Sequence, residues 1–220
     1  MTAPANAAPL ESHRRFLNAY YGPARHSYDA TRKYFLFGRD TLLKELATET
    51  WSSLVEVGPG TGRNLRILQR ARPNARFGGV DACDEMLTHA RERCPWASLV
   101  HGFAESADLT AVLGQPPDRI LFSYCLSMMS DPRLVLDRAC RMVAPGGSVV
   151  VVDFADMATM PSLMRSAIRA WVSAFRVKPL RADLFDTAQM VYGPMRFYFI
   201  ARFSRRSAKK GQPSARSTSP

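Results

Sequence analysis

The residues best suited to chemistry lie in one short run, Glu56-Val57-Gly58-Pro59-Gly60-Thr61-Gly62, which joins a carboxylate to three alternating glycines. Glycine lacks a Cβ, so such a run can turn sharply and lie directly against a ligand. A helix beginning there leaves its first N–H groups free for polar ligand atoms. Asp81 follows Gly62 by 19 residues. At the end of a second strand, a carboxylate can accept from both hydroxyls of a ribose; the plainer alternative is a solvated strand-end acid. Glu56 either anchors water or an amine beside the ligand, or pairs structurally with a loop N–H. A glycine-rich turn alone also serves dinucleotide enzymes. Here the spacing is G-x-G-x-G, not the G-x-G-x-x-G of pyrophosphate binders, and the pairing with Asp81 narrows the range of ligands.

The elements that must hold these residues can be read from apolar blocks and breakers. Leu54–Val57, Phe77–Asp81, Ser98–His101, Arg119–Ser123 and Ser148–Asp153 read as strands, and Phe197–Phe203 as a last strand at the sheet edge. Helices are expected over 64–72, over 84–94 with Asp84 as N-cap, and over 133–142 with Pro132 at the first position. Strands of continuous apolar residues are buried on both faces. Alternation with helices then implies an α/β fold with a doubly wound, mostly parallel sheet. Ahead of it, 12–21 and 28–46 read as helices, the second interrupted near Gly38, forming an N-terminal helical cap. The expected layout is a flexible lead (1–11), one domain (12–203) and a basic flexible tail (204–220). Within the domain, 12–48 is the cap, 50–155 the ligand-binding core and 156–203 the acceptor side.

Bulk properties exclude several classes. The 220 residues are 46% hydrophobic and 22% charged, as expected of one globular domain. The net charge is +11, and the segment 204–210 holds only four of the positive charges. The excess therefore belongs to the body as well and favours anionic partners. Cys83, Cys94, Cys125 and Cys140 form no CxxC pair and no zinc spacing, so no metal is expected and a reducing cytosol is. No stretch approaches the ~18 apolar residues of a spanning helix, and the first residues do not read as a secretory signal. His13, His26, His89 and His101 fall in no catalytic pattern.

Taken together, E-V-G-P-G-T-G, V-D-A and the A-P-G-G before the fifth strand resemble the class I S-adenosylmethionine methyltransferases over about residues 50–155. The resemblance implies a Rossmann-like fold and S-adenosyl-L-methionine as cofactor. Gly58, Gly60 and Gly62 would face its methionine part and Asp81 its ribose. Ala82 and Met86 would line the adenine, with Ala104 and Glu105 on the loop after the third strand. Glu56, Asn64 and Ser123 complete the implied cofactor set. Many relatives carry Asp where Phe103 stands, so either Phe103 stacks or packs there or Glu105 takes over the hydrogen bond. A narrower resemblance runs through 28–40, Gly62-Arg63-Asn64-Leu65, Ser123–Met129 and Val152–Asp156, which look like the signatures of BtaB-type enzymes. Those enzymes methylate the amine of diacylglyceryl homoserine to give a betaine lipid. This implies three methylations and a partner enzyme that makes the homoserine lipid.

Methyl transfer from a sulfonium is an in-line displacement, for which orientation alone is worth up to ~7–11 kcal/mol. The acceptor pocket is expected at the ends of the fourth and fifth strands, at Ser123, Tyr124 and Asp153. Tyr124 and Tyr34 can offer aromatic faces to a quaternary ammonium. Arg32 or Arg39 can grip a carboxylate of the cofactor or the head group, and Tyr28 and Asp153 join the acceptor side. From Met160 to Val177 the apolar residues recur with helical spacing, and Arg165, Arg169 and Arg176 share one edge. That helix either packs its apolar face on the sheet or rests on an anionic interface. The leading expectation is a cytoplasmic N-methyltransferase of a lipid head group, peripherally bound to the inner membrane face. The alternatives are a methyltransferase of a small molecule or RNA, although no RNA-binding platform is evident, and a non-catalytic cofactor-binding domain.

Overall fold

The computed structural model describes residues 36–173, 177 and 180–205. The cap residues Tyr28, Arg32 and Tyr34 lie outside them, as does Arg176. A helix α1 (Arg39–Thr48) leads into strand β1 (Ser53–Val57). Then alternate α2 (Arg63–Ala71), β2 (Arg76–Asp81), α3 (Asp84–Arg93), β3 (Ser98–His101) and β4 (Arg119–Ser123). A single 3-10 turn, Leu126–Met128, precedes α4 (Pro132–Met142) and β5 (Ser148–Phe154). The chain ends its described part with α5 (Ser162–Ser173), β6 (Gln189–Tyr192) and β7 (Tyr198–Ser204).

The seven strands form one sheet in the order β3-β2-β1-β4-β5-β7-β6. The first five pair in parallel, and β7 runs antiparallel to both β5 and β6. This is a mostly parallel, Rossmann-like sheet with flanking helices. Because successive strand residues face opposite sides, β1, β4 and β5 feed two cores. Val55, Val57, Ile120, Phe122, Val149 and Val151 pack on one side with Leu136 and Ala139 of α4. Leu54, Leu121, Val150 and Val152 pack on the other with Leu42 and Leu46 of α1 and Leu65 and Leu68 of α2. Each fully buried aliphatic side chain contributes ~1.5–3 kcal/mol.

Three expectations need correction. Asp84 is the first residue of α3, not its cap; Cys83 holds that position, and Asp84 instead meets His101 at 3.4 Å. The strand β7 is not the edge, because β6, a strand of only four residues, lies outside it. The helix α5 does not lay its apolar face on the sheet: of its residues only Val172 is buried, while Leu163 is 84% exposed. Two of its arginines are tied back to the preceding loop, Arg165 to the Ala158 carbonyl and Arg169 to the Asp156 carbonyl.

Candidate active site

The carboxyl ends of β1, β2 and β4 surround a cleft of about 1030 Å³, counting the open space at its mouth. Every described residue of the expected cofactor set lines it or its floor: Glu56, Gly58, Gly60, Asn64, Asp81, Ala82, Met86, Ala104, Glu105 and Ser123, with Gly62 just behind as the N-cap of α2. The glycines are there for backbone reasons. Gly58, Gly60 and Gly62 have φ of 69°, 55° and 77°, in the left-handed region that favours residues without a Cβ. A Cβ on Gly60 would meet no protein atom within 4 Å, so it would project into open space. No side chain caps α2, and its first N–H groups stay available to a ligand.

Asp81 closes the turn from below. Its Oδ2 accepts from Gly60 N at 2.9 Å and its Oδ1 from Cys83 N at 2.9 Å. A carboxylate has about four lone-pair sites, so each oxygen can still accept a ribose hydroxyl. Burial raises the Asp81 carboxyl above its ordinary value, and the Cys83 and Gly60 amides pull it back. Glu56 is buried at the other end, and its partner is not a loop N–H but the side-chain amide of Asn64, at 2.6 Å from Oε1. Glu56 Oε2 and Asn64 Oδ1 are buried acceptors with no hydrogen-bond partner. Burial pushes the Glu56 carboxyl up to about 8, against Asn64 and Arg39. Orphaned acceptors are costly unless a donor arrives. An ammonium group placed there would satisfy both, so the residues present fit the methionine end of S-adenosylmethionine.

Arg39 is 9% exposed and lines the same end of the cleft with Arg63. Arg63 also pairs with Asp40 at 3.0 Å. The far wall is apolar: Leu36, Phe103, Tyr124, Cys125, Met128 and Met129. Tyr124 sits at φ 55°, and its hydroxyl donates to the Phe37 carbonyl. Its ring meets Phe154 edge-on at 4.8 Å. Burial and the neighbouring Asp153 hold the phenol well above its ordinary pKa, so it stays protonated. Glu105 spans the mouth, accepting from Ser130 N and Oγ at 3.1 and 2.6 Å.

Asp153 departs from its expected acceptor role. It is fully buried and absent from the cleft lining. Its carboxylate accepts from Ser127 N at 3.0 Å, Ser127 Oγ at 2.8 Å and Phe154 N at 2.8 Å. It therefore straps the 3-10 turn that carries Met128, acting behind the wall. Sequence reasoning missed Arg63, Leu36, Met128 and Met129 as lining residues. Arg63 had a signal, since it follows the last glycine of the turn at the start of α2; the others read only as packing.

A turn of three positive-φ glycines, a strand-end acid and a buried carboxyl with orphaned acceptors, gathered at the carboxyl ends of the parallel strands, fit a nucleoside cofactor in an α/β protein. Residues 28–186 match the family described as "Methyltransferase domain", and the chain belongs to it. The cofactor of its site is S-adenosylmethionine. Among relatives, the chain is 29% identical over 147 residues to a demethylmenaquinone methyltransferase of Tropheryma whipplei (strain Twist), covering 64% of this chain and 60% of that one. It is 32% identical over 124 residues to a trans-aconitate 2-methyltransferase of Paracidovorax citrulli, covering 55% and 45%. The chain thus spans about half to three fifths of these relatives' lengths. Among solved structures, its fold is similar to the plantazolicin methyltransferase BamL, at TM-score 0.67 and 11% identity, over 90% of this chain and 97% of that one. It is also similar to the N-methyltransferase NodS of Bradyrhizobium japonicum, at TM-score 0.53 and 18% identity, over 77% and 95%.

Proposed function

We propose that this chain is an N-methyltransferase that trimethylates the amine of diacylglyceryl homoserine, giving a betaine lipid. The observation that carries the reading is the acceptor wall, where Tyr124 stands with Met128, Met129 and Leu36. A trimethylated nitrogen has no N–H to donate, so thioethers and an aromatic ring suit it better than hydrogen-bonding groups do. Bound in the cleft, S-adenosylmethionine supplies an electrophilic methyl group on a sulfonium. The chain's own part is to orient and to exclude water. Asp81 would hold the ribose of the cofactor, and the glycine turn with Glu56, Asn64 and Arg39 its methionine end. Tyr124, protonated and bonded to Phe37, is no base here, and one proton must leave the nitrogen before each methyl transfer. Arg39, beside Arg63, is placed to take a carboxylate, the cofactor's or the head group's.

A second reading has its own support: the matched relatives are named for a quinone precursor and a small tricarboxylate. On that reading the acceptor is a small apolar or anionic molecule at the same wall. Transfer of labelled methyl groups into a lipid extract separates the two. The first reading expects label in a betaine lipid and a loss of about tenfold or more in Tyr124→Ala, with Tyr124→Phe close to the unsubstituted protein. Label in any acceptor other than a betaine lipid moves the assignment to the second reading. Full activity of Tyr124→Ala removes the aromatic cage.

A further inference from the structure

The loop from Tyr124 to Met129 has two sides. Tyr124, Cys125, Met128 and Met129 line the cleft, while Leu126 and Ser127 are buried behind them. The loop starts from Tyr124 at φ 55°. A residue with a large side chain keeps that left-handed conformation only where its surroundings fix it. Bonds to several elements do so here. Tyr124 N donates to the Val152 carbonyl at 2.8 Å, and the Tyr124 hydroxyl to the Phe37 carbonyl. The Cys125 thiol donates to the Val57 carbonyl at 3.0 Å.

Asp153 adds a bond of a different kind. Its Oδ2 accepts from Ser127 N at 3.0 Å and its Oδ1 from Ser127 Oγ at 2.8 Å. Gripped by backbone and side chain together, Ser127 can neither slide nor turn, and Met128 is the next residue. Bonds to an ionised acceptor are also stronger than neutral ones. The same Oδ1 accepts from Phe154 N at 2.8 Å, and the Phe154 ring meets the Tyr124 ring edge-on at 4.8 Å. One buried carboxylate thus reaches both halves of the acceptor wall, Met128 through Ser127 and Tyr124 through Phe154. None of these bonds touches Asp81, the glycine turn, Glu56 or Asn64, which stand on β1, β2 and α2.

We propose that Asp153 is a positioning residue for methyl transfer, which never meets the acceptor but holds Met128 and Tyr124 at the spacing that orients it. A displacement of about 1 Å at a reacting centre can cost about a hundredfold in rate. The role presupposes the acceptor wall at Tyr124 and Met128 and holds whichever acceptor is methylated.

Two variants test it. Asp153→Asn keeps the shape of the side chain but has one oxygen to accept with, so at least one backbone bond is lost whichever way the amide turns. Ser127→Ala removes only the hydroxyl's bond and serves if the first variant folds poorly. In the full chain, labelled with carbon-13 on its methionine methyl groups and saturated with S-adenosylhomocysteine, the Met128 and Met129 signals are assigned by Met128→Leu and Met129→Leu. Both signals should shift in each variant, further in Asp153→Asn, while that of Met86 on the cofactor side stays. Affinity for S-adenosylhomocysteine should stay within about twofold. With diacylglyceryl homoserine in detergent, kcat/KM for the acceptor should fall about tenfold or more, with the KM of S-adenosylmethionine little changed. A strap that only stabilises the fold would lower the thermal midpoint and leave the Met128 and Met129 signals in place, which overturns the proposal. A loss of cofactor affinity as large as the loss of acceptor turnover also overturns it. Should that lipid not be methylated, the methyl signals still decide the role of Asp153, so the two proposals can fail separately.

Discussion

Glu56 is the residue whose behaviour should differ most from its ordinary chemistry. Burial lifts its carboxyl from 4.5 to about 8, so the cofactor-free protein holds this proton at neutral pH. A carboxyl whose pKa is raised by folding contributes stability that is fully present below its unfolded value and is lost as pH rises through the folded one. The thermal midpoint of the cofactor-free protein should therefore fall as pH rises from about 4.5 to 8 and level off above that. Glu56→Gln should flatten most of that slope. A residual decline should remain from Asp153, between its ordinary 3.8 and the value of about 6 to which burial raises it. Differential scanning fluorimetry across the range checks this, and an unchanged slope in Glu56→Gln would refute it. The same residue shows how far type and spacing reach. A carboxylate before the glycines is visible in the sequence, but its pairing with Asn64 is not, since that depends on how the first turn of α2 folds back over β1. Asp153 marks the limit from the other side. A strand-end acid beside the expected pocket reads as a ligand, whereas β5 directs it to Ser127.

At the level of elements, α4 begins with two devices working together. The Asp131 side chain accepts from Leu134 N at 3.0 Å, and Pro132 occupies the first helical position. A capping acid removed in this setting costs about 1 kcal/mol. Asp131→Ala should show that loss in urea denaturation, with an unchanged m-value. An effect below about 0.3 kcal/mol would mean the proline alone sets the start. Elements of this kind were legible. The bounds of β3 and β4 and the start of α4 follow from apolar blocks framed by Pro and Gly. The strand β6 was not, because a run as short as Met190-Val191-Tyr192 carries too little periodic signal of its own. The orientation of α5 was also hidden. Periodicity shows that a helix has an apolar face, but what covers that face is a property of the tertiary structure.

On the scale of the whole molecule, Glu49 ties distant parts of the chain together. It accepts from Arg119 at 3.0 Å and from Arg202 at 2.6 Å, joining the segment after α1 to β4 and β7. Arg72 adds a bond to its backbone carbonyl. These side chains are largely sheltered from solvent, so the pairs are worth more than exposed ones. Glu49→Ala should cost about 2–4 kcal/mol and leave cofactor affinity unchanged, measured by denaturation and by calorimetric titration of S-adenosylhomocysteine. A large loss of affinity with little loss of stability would contradict this. The reversed direction of β7 has a practical consequence. Arg205, just past that strand, is bonded to the carbonyls of Arg141 and Val143 and, through its backbone, to Gly147, at the end of the sheet opposite the cleft. A tether placed beyond Arg205 would hold the molecule on a sensor chip with its mouth facing the flow.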